Sequence, residues 1–99
     1  MKSLDTIRET IDEIDEEMRV LFEKRMDCIK AVAEYKFNNN EKIFDPSRED
    51  LLVKNNLSKL NNKEYRAVYK EFLHTLMNSS KEYQKRWIAF QDPDTRGDI

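Results

Sequence analysis

The feature that most constrains the fold is one apolar stripe near the start of the chain. Its members recur at alternating spacings of three and four residues, which predicts a helix packed against other helices. The helix would run from about Leu4 to Phe37 and measure about 50 Å. Two shorter helices cannot cover that length, so we expect a second copy of the chain to cover it. The stripe reads Leu4, Ile7, Ile11, Ile14, Met18, Leu21, Arg25, Cys28, Val32 and Tyr35.

The rest of the chain predicts two further helices. One Gly and two Pro among 99 residues leave little material for turns,. Asparagines at 38–40 and 61–62 interrupt the helical pattern,. Asp45 and Pro46 suit the N-cap and first position of a second helix, and a third helix is expected over about 63–90. We therefore predict an all-α fold with three helices per chain, one long, one short and one medium-long.

Composition narrows the function classes. A formal net charge of −2 offers no overall basic field for nucleic acid or an anionic membrane,. The single Cys28 excludes an internal disulfide and is expected to be a buried thiol, and the lone His74 has no metal-ligand pattern around it. No apolar run can cross a bilayer, and no secretory segment follows Met1. We expect one cytoplasmic domain over 1–91 and a polar tail over 92–99.

Three cations lie on or beside the stripe. Arg25 occupies a stripe position, and burying its guanidinium is costly unless an anion pairs with it, either a carboxylate of the protein or a ligand. Lys36 lies eleven residues later, on the same face and about 16 Å away; it either shares that anion or complements the helix dipole. Arg8 lies about 25 Å before Arg25. It reaches the same pocket only from a second copy, or else pairs with Asp12 on the surface.

The later helices also carry polar residues at notable positions. Glu49 suits the first turn of the second helix, but Arg48 beside it is unfavourable there unless it binds an anion. Ser80 and Gln84 lie one turn apart on an apolar stripe and need hydrogen bonds, from another helix or from a ligand. Together these positions suit a small, carboxylate-rich ligand held between helices.

This ordered set resembles the all-helical, type II chorismate mutases over roughly Ser3 to Gln84. The resemblance implies an entwined homodimer with two equivalent active sites, each completed by the partner. It implies conversion of chorismate to prephenate, at the branch toward Phe and Tyr, with no metal or cofactor. The segments that carry it are Leu4–Arg8, Ile11–Asp12, Ile14–Asp15, Leu21, Arg25, Lys36, Asp45–Glu49, and Ser80 with Gln84.

The resemblance also assigns roles. Arg8 from the other subunit, Arg25 and Arg48 would bind the two carboxylates of chorismate. Lys36 and Gln84 would contact the ether oxygen of chorismate. A pericyclic rearrangement needs no nucleophile, only orientation and charge stabilisation without a covalent intermediate.

The same resemblance assigns roles to Glu49, Asp45 and Ser80 and brings a related family into consideration. Glu49 would accept a hydrogen bond from the ring hydroxyl, and Asp45 and Ser80 would lie nearby as supporting residues. Isochorismate-pyruvate lyases share the fold and an Arg-Met-Asp run like 25–27, but tend to lack a carboxylate at the position of Glu49, which favours the mutase. A non-catalytic helical dimerisation module is the other alternative. It accounts for the stripe but not for polar residues within it.

Overall fold

The computed structural model describes residues 1–91 and is all-helical over that range, which confirms the predicted fold class. A single helix, α3, contacts both of the others. No helix within 1–91 has the length and apolarity needed to span a membrane. The predicted tail over 92–99 lies outside the described residues. The elements are α1 Leu4–Asn38, α2 Pro46–Lys59, the one-turn 3-10 helix η1 Lys63–Tyr65, and α3 Arg66–Gln91.

The helices begin and end where the local chemistry favours it. Ser3 caps α1 by accepting from a backbone N–H of the first turn at 3.2 Å,. Beyond its other end, Asn40 has a φ of 54°, a left-handed conformation that asparagine tolerates,. Asp45 caps α2 by accepting from the Arg48 backbone N–H at 3.1 Å, and Pro46 is its first residue,. The predicted start of α2 at Asp45 and Pro46 is confirmed, and α1 ends within the predicted asparagine run.

The core of the chain lies along one stripe of α3. Ala33 of α1 and Leu57 of α2 are buried against it,. Near the end of α1, the Phe37 ring meets the Trp87 ring edge to face, with the ring centroids 6.1 Å apart,. The α3 stripe that carries Ser80 and Gln84 is therefore the one that packs within the chain. Its buried members are Leu73, Met77, Ser80, Gln84 and Ile88.

The first half of α1 projects beyond this core. The described chain measures 59 × 26 × 19 Å, and every residue over 4–24 is exposed. The apolar stripe is uncovered there: Ile14 is 49% exposed and Leu21 62% exposed. An exposed apolar row of this length is unusual for a monomer.

The expectation of a buried thiol is wrong for this chain, because Cys28 is exposed. The reason is helical phase. At about 100° per residue, Cys28 lies about 140° around α1 from Ala33, the residue that packs on α3. Arg25 lies between these two directions, about 60° from Cys28 and about 80° from Ala33. It therefore stands at the border between the α3-facing side and the uncovered stripe.

Candidate active site

Arg25 and Ser80 meet across the interface of α1 and α3. Nη1 of Arg25 donates to Oγ of Ser80, which in turn donates to the carbonyl of Leu76 at 2.9 Å. Ser80 is only 5% exposed and Arg25 is half-buried. The structure thus brings two of the predicted site residues into contact. A hydroxyl orients a guanidinium but leaves its charge uncompensated.

The charge around Arg25 is repulsive. Burial lowers the pKa of the Arg25 guanidinium below its ordinary value, and the nearby charge of Arg48 lowers it further,. Over residues 1–91, neither guanidinium forms an ion pair with a carboxylate. Two arginines brought together in this way favour a planar anion, because a guanidinium binds a carboxylate through two parallel hydrogen bonds.

The Gln84 amide lies one turn from Ser80 and is also 5% exposed. Its Nε2 donates to the Ser80 carbonyl at 3.3 Å. Because an amide nitrogen carries two hydrogens, one N–H remains for another acceptor. Its Oε1 is buried and has no hydrogen-bond partner among the described residues. A buried amide that is only partly satisfied costs stability, on the order of 1–3 kcal/mol, and such groups often mark functional positions.

Lys36 is held by the segment that joins α1 to α2. Its Nζ donates to the Ile43 carbonyl at 2.8 Å, and the side chain is half-buried. An ammonium has three donors, so two remain for a ligand. Asp45 is engaged in capping α2 and so fixes the backbone that carries Arg48.

The Glu49 carboxylate is paired with Lys81 of α3. The Lys81 ammonium lies 3.1 Å from Oε2 and 3.3 Å from Oε1 of Glu49. It also lies 4.7 Å from the centroid of the Phe44 ring,. Sequence reasoning missed both Lys81 and Phe44. The available signal was a cation directly after Ser80, at the edge of the buried stripe.

Arg8 is not brought to these residues within the chain. It is exposed and lies on the projecting half of α1, about 25 Å from Arg25 at the helical rise per residue,. A separate groove of about 600 Å³ between α2 and α3 is lined by residues that include Val53, Leu57 and His74. None of the predicted site residues lines that groove.

A sequence model described as Chorismate mutase type II matches residues 7–85 of the chain. That segment covers most of the 99 residues, and the chain belongs to this family, as the resemblance predicted. The match contains every predicted site residue from Arg8 to Gln84. Neither a search of curated proteins nor a search of solved structures finds a match.

Proposed function

We propose that the chain is an isomerase that converts chorismate to prephenate. The observation that carries the proposal is Arg25, half-buried, held by Ser80 and without a carboxylate partner among the described residues, in a chain of the type II chorismate mutase family. Chorismate carries two carboxylates, one on the ring and one on the enolpyruvyl side chain. A site with paired guanidiniums suits such a dianion, whereas a purely structural module has no need of them.

The proposed reaction is a concerted [3,3] rearrangement. The ether C–O bond breaks while a C–C bond forms between the side-chain methylene and the ring, with no net gain or loss of atoms. Holding the flexible side chain over the ring removes much of the entropic barrier. Negative charge grows on the ether oxygen as the C–O bond breaks, so donors fixed at that oxygen stabilise the transition state more than the ground state.

The side chains described above are suited to these tasks. Arg25, oriented by Ser80, and Arg48 would bind the carboxylates. The remaining N–H groups of Lys36 and Gln84 would donate to the ether oxygen. Because neither an ammonium held by a backbone carbonyl nor an amide needs to transfer a proton, the proposed mechanism contains no acid–base step.

We further propose that the active unit is a homodimer. The exposed half of α1 carries six apolar stripe residues that α2 and α3 of the same chain leave uncovered. A second α1 packed against them would remove this surface from water, which is favourable by roughly 25 cal/mol per Å². The same packing would give Arg8 a route to the partner's site, because within one straight helix it cannot reach Arg25. The uncovered residues are Leu4, Ile7, Ile11, Ile14, Met18 and Leu21.

The decisive experiment incubates purified protein separately with chorismate and with isochorismate. We expect prephenate from chorismate and no pyruvate from either compound. Pyruvate from isochorismate without prephenate formation would replace the mutase by the lyase. No turnover of either compound would leave the non-catalytic dimerisation module as the better description.

The dimer is tested by sedimentation of the wild type and of Ile14→Glu. A charge placed in the stripe would be buried without a partner in the dimer, so we expect Ile14→Glu to sediment as a monomer. Glu13→Gln, on the neighbouring exposed position, is the matched control and should remain dimeric. A monomeric wild type would contradict the proposed dimer.

A further inference from the structure

Lys81 connects three separate parts of the chain. From α3, its ammonium contacts both carboxylate oxygens of Glu49 on α2 and lies over the ring of Phe44 in the preceding loop. The side chains of Lys81 and Glu49 are 25% and 22% exposed, so the pair is shielded more than an ordinary surface ion pair,. Contacts on two sides fix the position of the ammonium, and the ammonium in turn fixes the carboxylate.

The pair also determines which charges remain for a ligand. Glu49 directly follows Arg48, which lies close enough to Arg25 to affect its charge. Lys81 directly follows Ser80, the hydrogen-bond partner of Arg25. One turn of α3 therefore holds the guanidinium of Arg25 with one residue and the carboxylate of Glu49 with the next. Among the described residues the Glu49 carboxylate pairs with Lys81 and with neither guanidinium.

We propose that Lys81 is a positioning residue for recognition of the substrate's ring hydroxyl. It acts through Glu49, whose carboxylate it holds in a fixed position as a hydrogen-bond acceptor. This inference rests on the proposed function. A carboxylate has about four lone-pair sites on its two oxygens, so Glu49 can accept from the Lys81 ammonium and from a hydroxyl at the same time. Without Lys81, the Glu49 carboxylate is no longer held in position, and recognition of the ring hydroxyl weakens.

The test uses Lys81→Met, which keeps the apolar stem and removes the charge, in the full-length protein. With chorismate, we expect kcat/KM to fall roughly 10- to 100-fold, the range for losing a hydrogen bond to a charged group. With a chorismate analogue that lacks the ring hydroxyl, we expect a loss of no more than about threefold, because Glu49 then has no hydroxyl to bind. Lys81→Arg should restore most of the activity. Lys85→Met, at an exposed position one turn along α3, is the matched control.

A double-mutant cycle with Glu49→Gln separates positioning from general stabilisation. If Lys81 acts through Glu49, the double variant should lose no more kcat/KM than Glu49→Gln alone, within about twofold. Far-UV circular dichroism confirms that each variant is folded.

Multiplicative losses in the double variant, or equal losses for chorismate and its deoxy analogue, would overturn the inference while leaving the mutase intact. Wild-type rates in Lys81→Met would do the same. Absence of chorismate turnover in the wild type would instead reject the proposed function, and this inference with it.

Discussion

The contact between Arg25 and Ser80 gives the sharpest test of how the site is built. Ser80→Ala removes the acceptor that orients the guanidinium, at a position only 5% exposed. Ser79→Ala is a matched control, because it makes the same chemical change one residue away on the exposed side of α3. Both variants keep the helix, and they differ in whether a guanidinium loses its partner.

The expected magnitude follows from two opposing effects. A hydrogen bond to a charged group contributes about 1.5–3 kcal/mol, and the half-buried position of Arg25 favours the lower end, since water replaces part of the lost bond,. Alanine has a higher helix propensity than serine, which stabilises the folded state by about 0.5 kcal/mol in both variants. We therefore expect Ser79→Ala to be about 0.5 kcal/mol more stable than the wild type and Ser80→Ala about 1 kcal/mol less stable.

Urea unfolding followed by far-UV circular dichroism measures this difference. All samples must have one protein concentration, because the stability of a dimer depends on it. The two variants should differ by about 1.5 kcal/mol, roughly tenfold in the unfolding equilibrium constant. Variants equal to within about 0.5 kcal/mol would show that the Arg25 contact contributes nothing and would refute the reasoning.

Four further predictions concern the proposed activity. Lys36→Ala should lose about 100-fold or more in kcat, which is the scale for losing one preorganised hydrogen-bond donor. Lys30→Ala, at an exposed position on the same helix, should lose little. Near-wild-type turnover of Lys36→Ala would reject the catalytic role of Lys36. Arg8→Ala should be inactive alone. When Arg8→Ala and Lys36→Ala are mixed in equal amounts and refolded together, half of the dimers would contain one intact site, so about a quarter of the wild-type activity should return. No recovery would exclude a site shared between two subunits. Activity should stay level over roughly pH 6–9, because Gln84 does not titrate. An acid-only optimum would contradict this. The lowered pKa of Arg25 means that the folded state binds this proton less tightly than the unfolded state, so the free energy of unfolding should rise with pH where Arg25 deprotonates,; a fall over the same range would contradict the sign. A dicarboxylate transition-state mimic at about 100 times its Kd should stabilise the protein by about 2.7 kcal/mol in thermal unfolding, and an equal ionic strength of sodium chloride should not.

The fold was largely predictable because its determinants are local. Asp45 and Pro46 act on the backbone next to them, so their sequence alone indicates where α2 begins,. The α3 stripe from Leu73 to Ile88 repeats with helical spacing, so the sequence indicates that this helix has an apolar face,. Cys28 shows where this reasoning fails. The stripe indicates that α1 has an apolar face, but it does not indicate which helix covers that face.

Arg25 and Ser80 could be singled out from the sequence, but the contact between them could not. Arg25 and Ser80 were identified because each breaks an apolar pattern, yet 55 positions separate them and no spacing rule predicts that they meet. The Lys81–Glu49 pair was missed for the same reason. Which partner a long, flexible side chain contacts depends on how α2 and α3 are aligned, and tertiary packing sets that alignment.

The distribution of acidic residues explains how a chain with a net charge of −2 can hold unpaired guanidiniums. Carboxylates are abundant on α1, but over 4–24 they lie at exposed positions, and neither Glu23 nor Asp27, the acids nearest to Arg25 in sequence, forms an ion pair with it among the described residues. Glu49, the acid next to Arg48, is held by Lys81. Long-range attraction from exposed carboxylates is weak beyond the Debye length of about 8 Å. The chain is therefore acidic overall but carries Arg25 without a carboxylate partner within residues 1–91, and under the proposed function the carboxylates of the substrate would compensate that charge.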